Sequence, residues 1–239
     1  LLCEQARMPG GRWSGYRLRA LDATSICEPG ADRTTWRLHA GYDLATGQID
    51  HVELTDGRGA ESLRRLPYQP NEIVLADRYY AFFFMLARLL SQGVDVVTRQ
   101  NQLRHTDFRC GVRLGKCDHI VLWSRPPRPA WMDEATYAAM PETLPLRECR
   151  VGGWILVSSL CDAELVSKQD LYELYGWRWH IELDFRAIKA VMQMDVLRCK
   201  TPAMIEKEIA AHLLAYNLVR SVMAQAAALS TLLPRQISF

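Results

Sequence analysis

Hydrophobic and polar residues follow one another along the chain in a pattern that predicts a mixed α/β protein. Two-residue alternation or short apolar runs predict strands at residues 16–20, 34–42, 49–54, 73–76, 94–99 and 154–158. An apolar period near that of an α-helix predicts helices at residues 61–66, 80–91, 168–194 and 203–228. Pro202 suits the first turn of the last helix. Three strands, then a β-α-β unit, then late helices indicate a mixed sheet with flanking helices.

Residues 100–165 do not continue this succession of strands and helices. They contain the run Arg-Pro-Pro-Arg-Pro at 125–129 and several alternating segments, which indicate turns and β structure. We therefore expect residues 1–99 to form the first part of a core, residues 100–165 a β-rich basic insertion, and residues 166–239 the helical remainder of the core.

Four polar residues recur at helical spacing within the segment predicted to be helical at 168–194. Tyr175, Arg178, Glu182 and Lys189 fall within an arc of about 60° at roughly 100° per residue. The apolar residues of this segment lie on the neighbouring face; they are Leu174, Ile181, Phe185, Ile188 and Met192. The four polar residues therefore border the core, where they could line a cleft. A solvated helix face with an Arg178–Glu182 pair is the other interpretation.

Two aspartates occupy informative places upstream. Asp77 directly follows the apolar run at 73–76, which is typical of a strand buried on both faces. Asp22 follows the predicted strand at 16–20 and shares a face with Leu18 and Ala20. Either residue alone could be a strand-end cap or turn residue. Burying an ionised carboxylate is costly unless it is paired or binds a metal, so both aspartates together with Glu182 predict an oxygen-rich site for Mg²⁺ or Mn²⁺.

The residues in these blocks, and the order of the blocks, resemble those of the DDE transposases of the insertion-sequence-four family. The spacing Tyr175-x2-Arg178-x3-Glu182-x6-Lys189 resembles the Tyr-Arg-Glu-Lys signature of that family, and it follows blocks similar to the family's two aspartate blocks, at 21–24 and 75–79. Residues 39–47 are similar to the family's second strand and turn. Ala23 departs from the pattern, because many relatives carry glycine there. The resemblance covers most of residues 16–220.

The resemblance implies a ribonuclease H-like fold and DNA strand cleavage followed by strand transfer at transposon ends and into target DNA. It implies a triad of Asp22, Asp77 and Glu182 that binds two Mg²⁺ ions, with Mn²⁺ able to substitute. Arg178, Lys189 and Tyr175 would then contact phosphates near the scissile bond. Trp154 resembles an aromatic residue that stacks on a flipped base, although a strand tryptophan is also a common core residue.

Two other classes of function stay open on the sequence. One is an inactive transposase remnant that still binds DNA, and the other is a metal-dependent nuclease of the same fold that does not join strands. The resemblance also implies a homodimer assembled on DNA. Because the chain begins at Leu1, we expect a fragment that lacks the upstream region for binding DNA ends.

Composition and charge are consistent with a globular protein that meets DNA locally. The hydrophobic share of 49% and charged share of 23% exclude large-scale disorder, and the net charge of +2 does not itself indicate nucleic-acid binding. Residues 99–128 differ, because they could follow a phosphate backbone or form an exposed basic loop. They contain two anions (Asp107, Asp118) and seven cations: Arg99, Arg104, Arg109, Arg113, Lys116, Arg125 and Arg128.

Cysteine usage and apolar runs predict the compartment. The seven cysteines show no C-x2-C pair, so they indicate neither a zinc motif nor a disulfide framework and fit a reducing environment. The longest apolar run, residues 81–90, is interrupted by Arg88 and too short to span a bilayer. We therefore predict a cytoplasmic protein that does not associate with a membrane, and the resemblance implies a bacterial protein that associates with the nucleoid.

Overall fold

Backbone contacts divide the computed structural model into two units. It describes residues 13, 15–31, 35–59, 62, 65–195, 197–230, 232, 234–237 and 239. The first unit draws on residues 1–61, 65–67 and 178–239, and the second on residues 62–64 and 68–177.

The strands and helices follow the predicted order, with further elements between residues 112 and 151 that the pattern did not place individually. The strands are β1 (Arg17–Ile26), β2 (Trp36–Asp43), β3 (Ile49–Asp56), β4 (Glu72–Ala76), β5 (Asp95–Arg99), β6 (Val112–Gly115), β7 (Asp118–Ser124), β8 (Thr143–Val151) and β9 (Trp154–Ser158). The α-helices are α1 (Phe83–Ser91), α2 (Glu134–Ala138), α3 (Lys168–Gly176), α4 (Trp179–Arg186) and α5 (Pro202–Ala228). Shorter turns are the 3₁₀ segments Arg78–Tyr80 and Pro234–Gln236 and the π-helical segment Ala187–Val191.

An antiparallel sheet of β1, β2 and β3 forms the base of the first unit. The middle strand β2 pairs with both neighbours, and Asp22 of β1 lies opposite Ala40 of β2. Ala20 and Ala40 are fully buried, and α4 packs against β1. On α5, the Asn217 side chain accepts from the backbone N–H of Ile49 and donates to its carbonyl, both at 2.9 Å. These two bonds attach α5 to the first residue of β3.

A mixed sheet in the order β4-β5-β9-β8-β7-β6 forms the second unit. Strands β4 and β5 are parallel and connected through α1, while the other neighbours are antiparallel. Every residue of β4 is buried, as its continuous apolar run predicts. Strands β6 to β9 lie between Asp77 and Glu182 in the sequence, which confirms the predicted β-rich insertion.

The predicted helix at 168–194 is not continuous. Ser167 and Asp170 form a capping box that starts α3, which ends at Gly176. The next turns contain tighter bonds, from the Trp177 N–H to the Leu174 carbonyl and from the Ile181 N–H to the Arg178 carbonyl. The chain then continues as α4 and the π-helical segment. The expectation of one uninterrupted helix was therefore wrong.

Two further observations complete the comparison with the predicted elements. Residues 61, 63 and 64 of the predicted helix at 61–66 lie outside the described residues. None of the helices in the described part of the chain combines the length and the apolar character that a bilayer crossing requires. The division into parts 1–99, 100–165 and 166–239 stays a prediction.

Candidate active site

Asp22 lies inside β1 and not at its end. The strand is buried from Leu18 to Leu21 and half-buried over the next four residues, so its second half is the open part. Strand pairing with β2 continues as far as Ile26, opposite Trp36. The Asp22 carboxylate accepts a hydrogen bond from the Ala23 backbone N–H at 2.8 Å. The interpretation of Asp22 as a strand-end residue was therefore wrong, because pairing with β2 carries the strand past it.

One guanidinium joins the carboxylates of Asp22 and Glu182. Arg178 donates from Nη2 to Glu182 Oε1 at 2.5 Å, and its Nη1 lies 3.5 Å from Asp22 Oδ2. The two nitrogens belong to one rigid planar group, so the bonded carboxylate oxygens lie within about 8 Å of each other. Two carboxylates that are 160 positions apart in the sequence thus share one cation.

Lys189 reaches the same open half of β1. Its ammonium group donates to Thr24 Oγ1 at 3.2 Å and to the Ser25 carbonyl at 2.8 Å. The residue lies in the π-helical segment Ala187–Val191, a geometry that often accompanies functional sites. Arg178 and Lys189 therefore contact the β1 segment that contains Asp22, and Glu182 is paired with Arg178.

Tyr175 differs from the other three residues of the signature. It lies on α3 in the second unit and its side chain is buried, with 2% of its surface exposed. Its ring packs edge-on against the Trp154 ring at a centroid distance of 5.9 Å. The break between α3 and α4 follows Tyr175 in the chain, so the arc calculated for one continuous helix does not apply to it.

Trp154 lies on the surface of the second unit. Its side chain is 36% exposed at the start of β9, which excludes a core position. The Arg99 guanidinium lies 4.9 Å from the centre of its ring, and the Tyr172 ring lies 5.9 Å away. The arrangement presents an aromatic face beside a cation, a combination that suits stacking on a nucleic-acid base.

Asp77 follows the buried strand β4, as the sequence predicts. It precedes the 3₁₀ segment Arg78–Tyr80 but makes no side-chain capping bond there. Its backbone carbonyl accepts from Thr98 Oγ1 at 3.0 Å. Among the residues that the structure describes, none donates a hydrogen bond to the Asp77 carboxylate or forms an ion pair with it. The side chain is half-buried and keeps its acceptor capacity, which does not fit a capping role.

The predicted triad of Asp22, Asp77 and Glu182 offers carboxylate oxygens as donors to a metal ion. Such hard ligands suit Mg²⁺ and Mn²⁺. Within the described ranges, no group of three or more His, Cys, Asp or Glu side chains is arranged to hold a metal ion. In the first unit Arg178 pairs with both Asp22 and Glu182, so one positive charge faces two carboxylates.

A comparison with protein families decides the class of the chain. The family model described as "Transposase DDE domain" matches residues 13–218, which is most of the sequence. The chain belongs to the transposase DDE domain family. This confirms the prediction of a DDE transposase enzyme.

Curated relatives of this DDE domain are bacterial transposases. The putative transposase InsL for insertion sequence element IS186A of Escherichia coli (strain K12) is 29% identical over 252 residues, covering 89% of this chain and 68% of the relative. The transposase InsG for insertion sequence element IS4 of the same strain is 36% identical over 135 residues, covering 53% of this chain and 29% of the relative. The chain thus spans about two thirds of the length of the first relative.

The fold of the DDE domain also resembles a solved structure. The piggyBac transposase, in a cryo-EM structure of its synaptic complex with hairpin DNA, matches with a TM-score of 0.52 at 9% identity. The match covers 85% of this chain and 46% of the piggyBac chain. This likeness confirms the predicted α/β, ribonuclease H-like fold with a mixed sheet and flanking helices.

Several cations of the predicted basic stretch in this DDE domain have internal partners. Arg104 pairs with the buried Glu148 at 2.9 Å and lies 3.9 Å from the centre of the Trp123 ring. Arg125 donates to two backbone carbonyls of the 137–140 turn. Burial opposes ionisation of Glu148, but hydrogen bonds from its neighbours, Thr106 first, hold its pKa below the usual range. These contacts show that part of the positive charge serves the packing of the second unit.

The sequence reasoning missed a buried charge next to the signature. Asp184 is fully buried and pairs with Arg220 and Arg235. The sequence could have predicted this burial. Asp184 stands three residues after Ile181 and four before Ile188, which places it on the apolar face of α4. A carboxylate at a core position of a helix requires a buried partner.

Proposed function

We propose that this chain catalyses metal-dependent cleavage and strand transfer of DNA at the ends of an insertion sequence of the IS4 family. The observation that carries the proposal is the pairing of Asp22 and Glu182 through one guanidinium, because it brings together two carboxylates that the signature assigns to one site. The family membership and the similarity to InsG support the same class of reaction.

In this proposal Asp22, Asp77 and Glu182 are the ligands of two divalent cations, Mg²⁺ with Mn²⁺ able to substitute. The donor chemistry fits, since all three offer carboxylate oxygens and Asp77 keeps its acceptor capacity among the described residues. When bound, two such ions activate a water or 3′-hydroxyl and stabilise the leaving oxygen of the same phosphodiester. Arg178 offsets only one of the two negative charges of Asp22 and Glu182, so a positive charge is still favoured at this place.

The remaining residues of the signature bind and orient DNA. Arg178 and Lys189 offer guanidinium and ammonium donors beside Asp22, where they would hold phosphates near the scissile bond. Tyr175 supports the Trp154 ring from its buried side, and its hydroxyl is proposed as a further phosphate donor. Trp154 would stack on an unpaired base at the DNA end.

DNA is the proposed partner, as transposon ends and as target, with two copies of the protein assembled on it. The relatives are named as insertion-sequence transposases, and the piggyBac structure is a complex with hairpin DNA. At 9% identity the similarity to the piggyBac structure supports the fold alone, so DNA is a proposed partner of this chain.

The test uses DNA that carries the ends of the insertion sequence flanking this reading frame. The protein is incubated with labelled ends, a target plasmid and Mg²⁺, and cleavage and joining are measured separately. Both products should appear and should be lost in Asp77→Asn, which leaves folding intact because the Asp77 carboxylate has no partner among the described residues. Cleavage without joining would indicate the nuclease, and binding without cleavage would indicate the remnant.

A further inference from the structure

A fully buried carboxylate lies two residues after Glu182. Asp184 has no exposed surface and accepts hydrogen bonds from two arginines. Arg220 of α5 donates from Nη2 to Oδ1 at 2.6 Å, and Arg235 donates from both terminal nitrogens, to Oδ1 at 3.1 Å and to Oδ2 at 2.8 Å. Two guanidinium groups from separate elements thus hold both oxygens of one carboxylate.

A second layer of contacts fixes the arginines. Arg220 Nε donates to the Tyr216 hydroxyl, which donates to the Gly47 carbonyl, each at 2.9 Å. The Phe239 ring stacks on the Tyr216 ring at 5.2 Å, and the Arg220 guanidinium lies 5.3 Å from the centre of the Phe239 ring. The network therefore connects α4, α5, the turn after β2 and the segment that contains Arg235.

The residue after Asp184 is held as well. The Phe185 ring packs edge-on against the Tyr42 ring of β2 at a centroid distance of 5.6 Å, and Tyr42 contacts Tyr216 in the same manner at 6.4 Å. Consecutive side chains of α4 are therefore anchored to the sheet and to α5. Such double anchoring opposes both rotation of α4 about its axis and sliding along it.

Rotation of α4 would displace Glu182 directly. At roughly 100° per residue, Glu182 lies about 200° around the helix from Asp184, on the side of Arg178 and Asp22. A two-pronged arginine–carboxylate pair is directional, so it specifies an orientation as well as a contact. A buried ion pair is on balance no more stabilising than apolar packing, but leaving one of its charges unpaired is costly, so the pair favours the one orientation of α4 in which all three groups meet.

We propose that Arg220 and Arg235 are positioning residues that hold α4 through Asp184 and thereby set Glu182 for metal binding. The inference rests on the proposed function, since it assigns Glu182 to a metal site. Arg235 is the more informative of the two, because Arg220 also donates to the Tyr216 hydroxyl and its removal would disturb that contact as well.

The test compares Arg235→Ala with Arg104→Ala as the matched control. Each substitution removes one arginine from a buried carboxylate that keeps other donors, and Arg104 belongs to the other unit. The first readout is Mn²⁺ binding in the absence of DNA. It is measured from the electron paramagnetic resonance signal of the free Mn²⁺. The second is amide hydrogen exchange of the peptide that covers residues 179–186. Thermal unfolding of both variants shows how far each is destabilised.

Arg235→Ala should weaken Mn²⁺ binding by a factor on the order of ten and should speed exchange within α4, while Arg104→Ala should change neither. Unchanged exchange in α4, or equal effects in both variants, would overturn the positioning role. If the unsubstituted protein binds no Mn²⁺, the proposed metal site fails, and the exchange measurement alone then decides whether Arg235 holds α4.

Discussion

Replacement of Glu182 by glutamine separates the chemistry of the site from the stability of the fold. The Glu182 side chain is 34% exposed and its partner is Arg178, four residues earlier on the helix. Ion pairs of this kind contribute less than about 1 kcal/mol to stability. For a chain of this length that corresponds to a fall in Tm of about 2–4 °C. Glu182→Gln should therefore stay folded under assay conditions.

Cleavage should respond far more strongly than folding. An amide oxygen is a neutral and weaker ligand than a carboxylate, so the site loses one of its negative charges toward the cations. A loss of about 4 kcal/mol in transition-state stabilisation lowers the rate about a thousandfold. DNA affinity should hardly change, because the proposed phosphate contacts of Arg178 and Lys189 do not involve the Glu182 carboxylate.

The assay measures Mg²⁺-dependent cleavage of labelled end DNA, and binding is measured by fluorescence anisotropy with a chelator present. Glu173→Gln is the matched control, because Glu173 is an exposed glutamate on α3 that accepts a hydrogen bond from Gln169 four residues earlier. The control should cleave at the unsubstituted rate. A parallel loss of binding and cleavage in Glu182→Gln would show a structural role for Glu182 and refute its assignment as a metal ligand.

Three further predictions concern phosphate binding, base stacking and pH. Lys189→Ala should weaken matched and unmatched DNA equally and lower the slope of log affinity against log salt by about 0.9, and an unchanged slope would exclude a phosphate contact. Trp154→Ala should weaken binding of DNA with an unpaired end base by about 1–3 kcal/mol while Trp154→Phe retains most of it, and equal losses on fully paired DNA would contradict stacking. Burial, with Arg65 and Arg37 nearby, lowers the pKa of His39 to about 4. Between pH 6.5 and 4 the unfolded chain therefore binds a proton that the folded protein does not, and the free energy of unfolding should fall by up to about 3 kcal/mol as the pH is lowered. Urea denaturation across this range should show a smaller fall for His39→Gln, and an identical fall would exclude His39 as its source.

Apolar periodicity predicted those elements whose burial is uniform. Strand β4 lies where its continuous apolar run places it, β9 has the predicted bounds, and Pro202 begins α5. Each of these depends on which residues leave water, and that information is local to the sequence. The end of β1 was missed because it depends on pairing with β2, which extends the strand six residues beyond the predicted end at Ala20.

The course of the backbone around Glu182 could not be predicted in the same way. Spacing placed Ile181 and Ile188 correctly on the buried face, but it predicted Met192 there, and Met194 is the buried residue. The reason is the hydrogen bond from the Met192 N–H to the Ala187 carbonyl, five residues back, which widens the turn. Apolar spacing does not reveal such a change. Likewise, counting cations could not show that Arg104 is paired with Glu148 inside the second unit.

The widened turn at Ala187–Val191 has a consequence for how this chain is compared and altered. When one residue between Glu182 and Lys189 is removed, such a turn can return to regular α geometry, and the lysine then stands six residues after Glu182 and not seven, a difference of about 100° around a helix axis. Lys189 would then lose its contacts with Thr24 and Ser25. In an alignment this change would appear only as a one-residue gap between the glutamate and the lysine. Deletion of Ala187, which precedes the lysine, should therefore leave the helix content nearly unchanged but alter the direction of Lys189. Relatives or designed variants should accordingly be matched by their turn geometry as well as by the letters of the signature.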